Sequence, residues 1–376
     1  MNDPYMRLAL RLARRGYGTT SPNPMVGAVL VKGGKIIGRG WHHRAGEPHA
    51  EIEALRDARE RGHTAKGATL YVTLEPCCTR GRTPPCTDAI VASGIKSVVA
   101  GAVDPNPRHR GRGFGILRQA GLAVTHGVMA AECARLNEAF NHWIVHHTPF
   151  VTVKGGMTLD GKIATAAGES KWITGEKARA YGMKLRQGVD AILVGINTVL
   201  ADDPSLTVRT HTSEARSPKP KVRSHVLRRI VLDAQGRTPL TSKIVSDEWV
   251  AWTTIVVSDS APKRRIANLA KRADVLVAPS SDGKINLGWL LKRFGAQNIT
   301  SLLVEGGGEV NASFLLQGLA QRVAFFYAPM ILGGRASRRA VAGEGARTLA
   351  GSLSLTALEW RRLGVDWLLS ARIKPR

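Results

Sequence analysis

The amino-acid sequence predicts an α/β protein built as two layered domains. Three observations carry that expectation. At 376 residues the chain exceeds the size at which a single hydrophobic core usually stops growing. Strand-length apolar runs alternate with helical patterns in both halves, the order that builds a largely parallel sheet covered by helices. Thr148-Pro149 interrupts that order and sets a boundary between domains spanning 1–147 and 148–376.

In the first domain, Asp3-Pro4 supplies a cap and first turn for a helix whose apolar stripe is Met6, Leu10 and Ala13. Ser21-Pro22-Asn23-Pro24 turns into a strand over 26–31, and Lys32-Gly33-Gly34-Lys35 returns it through 36–41 as a hairpin. A helix starts at His49 and stops near Arg61-Gly62. A buried strand over 69–74 leads to Cys77, and Pro85 suits the first turn of a helix running to 92. Strand 97–100, helix 114–120, strand 122–125 and one helix over about 130–145 complete the domain. Cys133 reads as a small buried hydrophobe on that helix. His142, His146 and His147 lack carboxylate or thiol company and read as surface or packing residues.

The second domain restarts with a strand over 150–154. Further buried strands are expected at 191–194, 229–232, 254–257, 301–304 and 324–327, with a helix over 310–317. The Ser-, Pro-, Lys- and Arg-rich segment 211–229 reads as a solvated loop.

The stretch from Pro48 to Cys86 concentrates the chemistry. Pro48-His49-Ala50-Glu51 and Glu75-Pro76-Cys77, with Cys86 nine positions later, offer one imidazole and two thiols. That is the ligand set of a tetrahedral zinc whose fourth position is left for water. Glu51, two residues past His49, can reach such a water without being a ligand. Cys86 at a helix start gains the electropositive setting that favours a thiolate. The pattern H-x-E plus P-C-…-C is the zinc nucleobase-deaminase signature. Eight residues rather than two separate the thiols here, and Gly81-Arg82-Thr83-Pro84-Pro85-Cys86 narrows the match.

In the second half, Val304-Glu305-Gly306-Gly307-Gly308-Glu309 places bare glycines at a strand-to-helix turn, where backbone N–H groups can approach a pyrophosphate. It follows Lys154-Gly155-Gly156-Met157-Thr158-Leu159-Asp160-Gly161, Ser170-Lys171-Trp172-Ile173-Thr174, Val194-Gly195-Ile196-Asn197-Thr198 and Asp202-Asp203-Pro204-Ser205-Leu206-Thr207-Val208-Arg209.

These two ordered motif sets resemble the bifunctional riboflavin-biosynthesis deaminase/reductases, and the resemblance runs from about Asp3 to Ala371. It implies a cytidine-deaminase-like α/β/α domain followed by a dihydrofolate-reductase-like α/β domain. It implies zinc on His49, Cys77 and Cys86, with Glu51 as the proton carrier. Asn23, His42, Asp104 and Asn106 fall at deaminase substrate positions. Thr79 stands where the family often carries a histidine near the substrate phosphate, and Arg82 or Arg80 can supply that charge instead. In the reductase half, Lys154, Ser170, Arg186, Leu206, Arg209 and Glu305 fall where the family holds its phosphoribosyl substrate. Met157, Trp172, Thr174, Thr198, Asp202, Gly307 and Gly308 fall where it holds NADPH. The implied reactions are hydrolytic deamination of 2,5-diamino-6-ribosylamino-4(3H)-pyrimidinone 5′-phosphate, then reduction of the ribosyl group to ribityl.

Composition narrows the alternatives. No apolar run approaches the roughly 18 residues of a membrane span, and no long apolar leader marks a secretory signal. Four cysteines, two adjacent and two at metal-like spacing, are not a disulfide framework and suit a reducing cytoplasm. The net charge of +25 permits nucleic-acid binding, but the cations are spread along the chain, and nucleic acid is not the expected partner. The expected partner is a phosphorylated pyrimidine, and the expected assembly a homo-oligomer. An RNA-editing-type nucleobase deaminase fused to a nucleotide-binding domain is the alternative; it leaves the second motif set unexplained. A non-enzymatic nucleotide-binding descendant is a further one, disfavoured by the intact His49, Glu51, Cys77 and Cys86.

Overall fold

A computed structural model describes residues 3–208 and 226–375. The chain divides into two compact units, 1–147 and 148–376. Arg209 and most of the basic segment 211–229 lie outside the described residues.

The first unit is a five-stranded sheet with helices packed on it. Its strands are β1 (Gly27–Lys32), β2 (Lys35–Trp41), β3 (Thr69–Leu74), β4 (Ser97–Ala102) and β5 (Ala123–His126), in the order β2-β1-β3-β4-β5. β1 runs antiparallel to both β2 and β3, while β3, β4 and β5 are parallel. The helices are α1 (Pro4–Ala13), α2 (Ala50–Glu60), α3 (Cys86–Ala92), α4 (Arg112–Gln119), α5 (Ala130–Leu136) and α6 (Glu138–His146). Asp3 caps α1 by accepting from the N–H groups of Tyr5 and Met6, and Met6, Ala9 and Leu10 face the core. α2 lies almost flush on β2 because Gly38 and Gly40 carry no Cβ. One built on either would sit 2.3 Å from the carbonyl oxygen of Ala54 or Ala50. That close approach fixes the start of α2, and with it His49 and Glu51.

The expected single helix over 130–145 is two helices. Asn137 is buried, accepts from the Met25 N–H and donates to the Met25 carbonyl, and takes φ −114°, ψ 29°. Holding the β1 approach in place breaks the helix at that residue. Cys133 is 1% exposed, and burial pushes its thiol up to about 12, so it stays protonated and apolar.

The second unit is built on a nine-stranded sheet. Its strands in chain order are β6 (Phe150–Thr158), the short β7 (Lys162–Ala164), β8 (Ala191–Gly195), β9 (Arg228–Leu232), β10 (Thr253–Ser258) and β11 (Asp274–Ala278). There follow the small hairpin β12 (Ser280–Ser281) and β13 (Lys284–Ile285), then β14 (Ser301–Val304), β15 (Arg322–Ala328), β16 (Arg338–Arg339), β17 (Leu355–Leu363) and β18 (Asp366–Ile373). The main order is β11-β10-β9-β8-β14-β6-β15-β18-β17, parallel up to β15 and antiparallel from there. β7 pairs with β16. The helices are α7 (Glu176–Gln187), α8 (Ile196–Asp202), α9 (Lys243–Ser246), α10 (Lys263–Ala270), α11 (Leu287–Ala296) and α12 (Gly308–Leu316).

The β17–β18 hairpin and β11 were not anticipated. β17 is exposed along most of its length, and Thr356, Glu359, Arg361 and Arg362 interrupt its apolar residues, so no buried apolar run announces it. Arg229 is the reverse case: it closes the basic segment, yet it is 1% exposed. Its guanidinium donates to both Asp247 oxygens at 2.6 and 2.7 Å and to the carbonyls of Ser205 and Ile244. A fully paired guanidinium can be buried where a lone one cannot.

Candidate active sites

In the first unit the N-cap of α2, the loop after β3 and the first residue of α3 converge. His49 Nδ1 lies 3.5 Å from Cys77 Sγ and 3.3 Å from Cys86 Sγ. The three ligand atoms lie within 4.8 Å of one another. A tetrahedral zinc with bonds of about 2.0 Å to nitrogen and about 2.3 Å to sulfur needs N···S separations of roughly 3.5 Å. The donors therefore fit zinc in type and in spacing. The Cys86 N–H donates to Cys77 Sγ at 3.3 Å. The contacts with Cys86 and His49 draw the Cys77 thiol down, while the nearby Cys77 and burial push Cys86 up.

Glu51 sits on the first turn of α2, 3% exposed. Burial pushes its carboxyl up to about 7; the neighbouring His49 opposes that shift without cancelling it. Glu51 stands two residues past His49 on the helix that His49 caps.

His42, 2% exposed, joins the site from the end of β2. Its Nδ1 is 3.0 Å from the Pro48 carbonyl, which can only accept, so Nδ1 carries the proton and Nε2 accepts from Asn23 Nδ2 at 3.1 Å. Burial lowers its pKa and keeps the ring neutral. Its ring meets that of His49 edge-on at 5.1 Å. Asn23, His42 and His49 are thus one connected group.

Asp104 and Asn106 follow β4. Burial pushes the Asp104 carboxyl up to about 6, and its Oδ1 accepts from the Asn106 N–H. What holds their loop is Glu75, a residue that sequence reasoning gave no role. Its buried carboxylate accepts from the N–H groups of Asp104, Gly111 and Gly113 at 3.2, 2.9 and 2.9 Å. Its place beside Pro76-Cys77 was the only available hint. Arg82 and Arg80 are exposed and make no ion pair among the described residues. The structure adds His109, also unforeseen. Its ring lies against Cys78 and Thr79, with Nε2 3.3 Å from Thr79 Oγ1.

In the second unit the residues gather at the C-terminal ends of parallel strands, where open α/β sheets bind ligands. Glu305, just past β14, accepts from Arg186 Nε and Nη2 at 2.9 Å each, and Lys154 Nζ of β6 is 3.7 Å away. Burial alone would raise this carboxyl, but Arg186 and Lys154 outweigh it and hold it at about 2. Arg186 also donates to the Thr207 carbonyl, so Lys154 is the less committed cation. Asp202 Oδ1 accepts from Ser170 Oγ at 3.5 Å and lies 3.4 Å from Lys171 Nζ. Arg179 stacks on the exposed Trp172 ring at 4.6 Å and donates to the Thr174 carbonyl.

The glycine turn before α12 is sterically required. A Cβ on Gly306 would meet the Val194 backbone at 2.5 Å, and one on Gly308 the Arg339 carbonyl oxygen at 2.1 Å. Gly307, at φ 37°, would bring a Cβ to 3.6 Å from Thr198 Oγ1, which places those two residues together. Met157 and Leu206 are each 3% exposed, and Leu206 packs with Ile192, Val194 and Val231. Their side chains belong to the interior.

One unit thus holds a zinc-type donor set beside a buried carboxyl, and the other a buried carboxylate paired with Arg186 and Lys154 at a sheet end. Residues 1–102 match the cytidine and deoxycytidylate deaminase zinc-binding region, and residues 149–369 match the RibD C-terminal domain. The riboflavin biosynthesis protein RibD of Actinobacillus pleuropneumoniae is 42% identical, over 97% of this chain and 93% of its own length. That of Escherichia coli K12 is 42% identical over 97% of each chain. Among solved structures, RibD of Acinetobacter baumannii aligns with a TM-score of 0.85 at 36% identity, covering 98% of each chain. A Thermotoga maritima diaminohydroxyphosphoribosylaminopyrimidine deaminase/5-amino-6-(5-phosphoribosylamino)uracil reductase aligns with a TM-score of 0.80 at 34% identity over 98% of each chain.

The chain belongs to the RibD family of bifunctional riboflavin-biosynthesis enzymes. It is a deaminase, hence a hydrolase, and a reductase, with a cytidine-deaminase-like first domain and a dihydrofolate-reductase-like second one. Its cofactors are zinc and NADPH.

Proposed function

We propose that residues 1–147 hydrolytically deaminate 2,5-diamino-6-ribosylamino-4(3H)-pyrimidinone 5′-phosphate. Residues 148–376 then reduce the ribosyl group of the product to ribityl with NADPH. One observation carries the first assignment. The buried Glu51 lies on the first turn of the helix that His49 caps, two residues from the His49–Cys77–Cys86 donor set, and burial pushes its carboxyl up to about 7. A carboxyl poised near pH 7 suits both halves of a proton transfer.

His49 Nδ1 and the Cys77 and Cys86 sulfurs would hold zinc, which when bound would supply the Lewis acidity that makes a water nucleophilic near neutral pH. Glu51 accepts the water proton as the oxygen attacks the amine-bearing ring carbon and passes it to the ring nitrogen; it then moves the proton of the newly added hydroxyl to the amine, the C–N bond breaks, and ammonia leaves. Asn23, whose NH2 is directed to His42, keeps its amide oxygen for an exocyclic amine. Asp104 and Asn106, fixed by Glu75, read the rest of the ring edge. Arg82 supplies charge for the phosphate.

In the second unit Lys154, Ser170, Arg186, Leu206, Arg209 and Glu305 hold the phosphoribosyl group. Met157, Trp172, Thr174, Thr198, Asp202, Gly307 and Gly308 hold NADPH, the source of the hydride. Arg186 keeps Glu305 ionised, and that carboxylate orients Lys154 toward the sugar phosphate.

A cytoplasmic homo-oligomer belongs to the same reading. Among the described residues no helix is long and apolar enough to cross a membrane. The sheet-edge strand β17 exposes Leu358 and Trp360.

The test is to incubate purified protein with the pyrimidinone phosphate, with and without NADPH, and identify the products. Ammonia and the deaminated ribosylamine are expected without NADPH, and the ribityl product with it. Salt-sensitive RNA binding, with neither ammonia release nor NADPH oxidation, would instead favour the RNA-editing alternative.

A further inference from the structure

We propose that Asp366 is a positioning residue for the reduction step. From the start of β18 its carboxylate fixes the end of the Ser170–Gly175 segment, and so sets how Trp172 and Thr174 meet NADPH. The inference rests on the reading above, in which those two residues hold the cofactor. It adds to that reading a residue 191 positions beyond Gly175.

Residues 165–175 join β7 to α7 without helix or strand, so bonds to neighbouring elements must place them. At one end of the Ser170–Gly175 segment, Ser170 Oγ and Lys171 Nζ reach Asp202 Oδ1 at 3.5 and 3.4 Å, a loose hold on a partly exposed carboxylate. The other end is held more tightly. The Gly175 N–H donates to Asp366 Oδ2 at 2.7 Å, and Arg179 Nη1 donates to the Thr174 carbonyl at 2.7 Å. The same guanidinium stacks on the Trp172 ring, which is 68% exposed and has little else to fix it. Thr174 lies over β6, where a Cβ on Gly156 would stand 3.5 Å from its Cγ2.

The fold brings Asp366 to this place through the β17–β18 hairpin. Its two-residue turn, Gly364-Val365, lies on the first turn of α7: a Cβ on Gly364 would meet the Lys177 side chain at 3.2 Å, and one on Gly175 would meet Asp366 Oδ2 at 3.2 Å. Gly175 is the N-cap of α7 and offers no side chain to cap it, so the carboxylate stands at the electropositive end of that helix. Asp366 is 1% exposed, and its Oδ1 has no partner among the described residues. Burying a carboxylate with one oxygen unsatisfied is costly, and an apolar side chain would pack there without that cost. The bond to Gly175 is what the carboxylate provides and an apolar residue could not. The far end of α7 is held independently, by Arg186 on Glu305 and on the Thr207 carbonyl. Freeing the first turn of α7 should therefore leave the substrate side in place.

The experiment uses the full-length chain and titrates NADPH without substrate, following the fluorescence of the cofactor. Asp366→Ala should raise the Kd for NADPH by about tenfold, the lower end for a hydrogen bond to a charged group. Asp366→Asn keeps an acceptor oxygen for the Gly175 N–H and should retain most of the affinity. In steady-state reduction, the KM of Asp366→Ala for NADPH should rise with the Kd, while the KM for the deaminated ribosylamine phosphate should not change. A general loss of stability would not separate the two. Arg179→Ala should also weaken NADPH, and the double variant should lose less than the product of the two single losses, because both bonds hold one segment. Asp366→Leu fills the buried site with an apolar side chain and repeats the test should the alanine variant not fold.

Equal KM rises for NADPH and substrate, additive losses with Arg179→Ala, or no rescue by Asp366→Asn would overturn the proposal. So would unchanged NADPH affinity in a folded Asp366→Ala, or failure of both Asp366→Ala and Asp366→Leu to fold, which would make the residue purely structural. Trp172→Ala separates this inference from the reading beneath it. If that variant binds NADPH as wild type does, the cofactor reading of the segment fails and the inference with it. If it binds NADPH weakly while Asp366→Ala binds normally, this inference alone fails.

Discussion

Two buried glutamates, one in each unit, hold their protons in opposite ways. Glu51 is 3% exposed, and burial lifts its carboxyl to about 7. The Glu305 side chain is 8% exposed, yet Arg186 and Lys154 hold it at about 2. Burial is common to both, and the cationic partners decide the outcome. Glu51, proposed to take up and release a proton, is desolvated beside a metal-type donor set without a guanidinium to fix its charge. Glu305, proposed to anchor the sugar-phosphate site, is kept ionised by a bidentate arginine. One chain thus places two glutamates in two chemistries by what it packs against each.

The comparison can be broken most severely at the thiols. Cys86→Ser should reduce zinc from about one per chain to near zero and bring ammonia release below detection. Cys78→Ser should keep both, and the reverse pattern in metal analysis would mean that the wrong thiol was assigned. Next in size, Glu51→Gln should lower the deaminase kcat by about 10²- to 10⁴-fold with zinc retained. Steady-state ammonia assays read this directly, and a loss below tenfold would remove Glu51 from the proton path.

The other glutamate should speak through stability. Glu305→Gln leaves a buried guanidinium without its counter-charge, which costs about 3–5 kcal/mol when a buried pair is broken. Urea unfolding of the two proteins measures it. The smallest effect is the pH dependence of that difference. The folded pKa of Glu305, about 2, lies below its ordinary 4.5. Its contribution is therefore fully present above about pH 4.5 and is lost as the pH falls toward about 2. The gap between wild type and Glu305→Gln should narrow between about pH 6 and about pH 3, whereas a constant gap would mean that the carboxylate's charge is not what stabilises.

Much of this was legible in the sequence because the informative residues are close together in the chain. His49 and Glu51 are two apart on a helix start, and Cys77 and Cys86 flank one loop, so spacing alone assembled the donor set. The strands of the first sheet, and those of the second apart from β11, β17 and β18, announced themselves as apolar runs. What stayed hidden depends on contacts between distant segments. Asn137 breaks a helix to serve Met25, 112 residues earlier. Glu75 takes its role from N–H groups of a loop 29 to 38 residues on, and His109 reaches Thr79 across 30. Arg229 looked like the end of a solvated segment because its partner Asp247 lies 18 residues further along. Charge and spacing show which residues can do chemistry; only the packing shows which neighbours set their protonation.

Glu51→Gln tests most directly whether the two glutamates serve separate reactions. The purified variant is supplied with the already deaminated ribosylamine phosphate and NADPH, and NADPH oxidation is followed beside ammonia release from the diamino substrate. The account predicts that reduction proceeds at close to the wild-type rate while ammonia release is lost. A folded, zinc-loaded Glu51→Gln protein that fails at both reactions would contradict it.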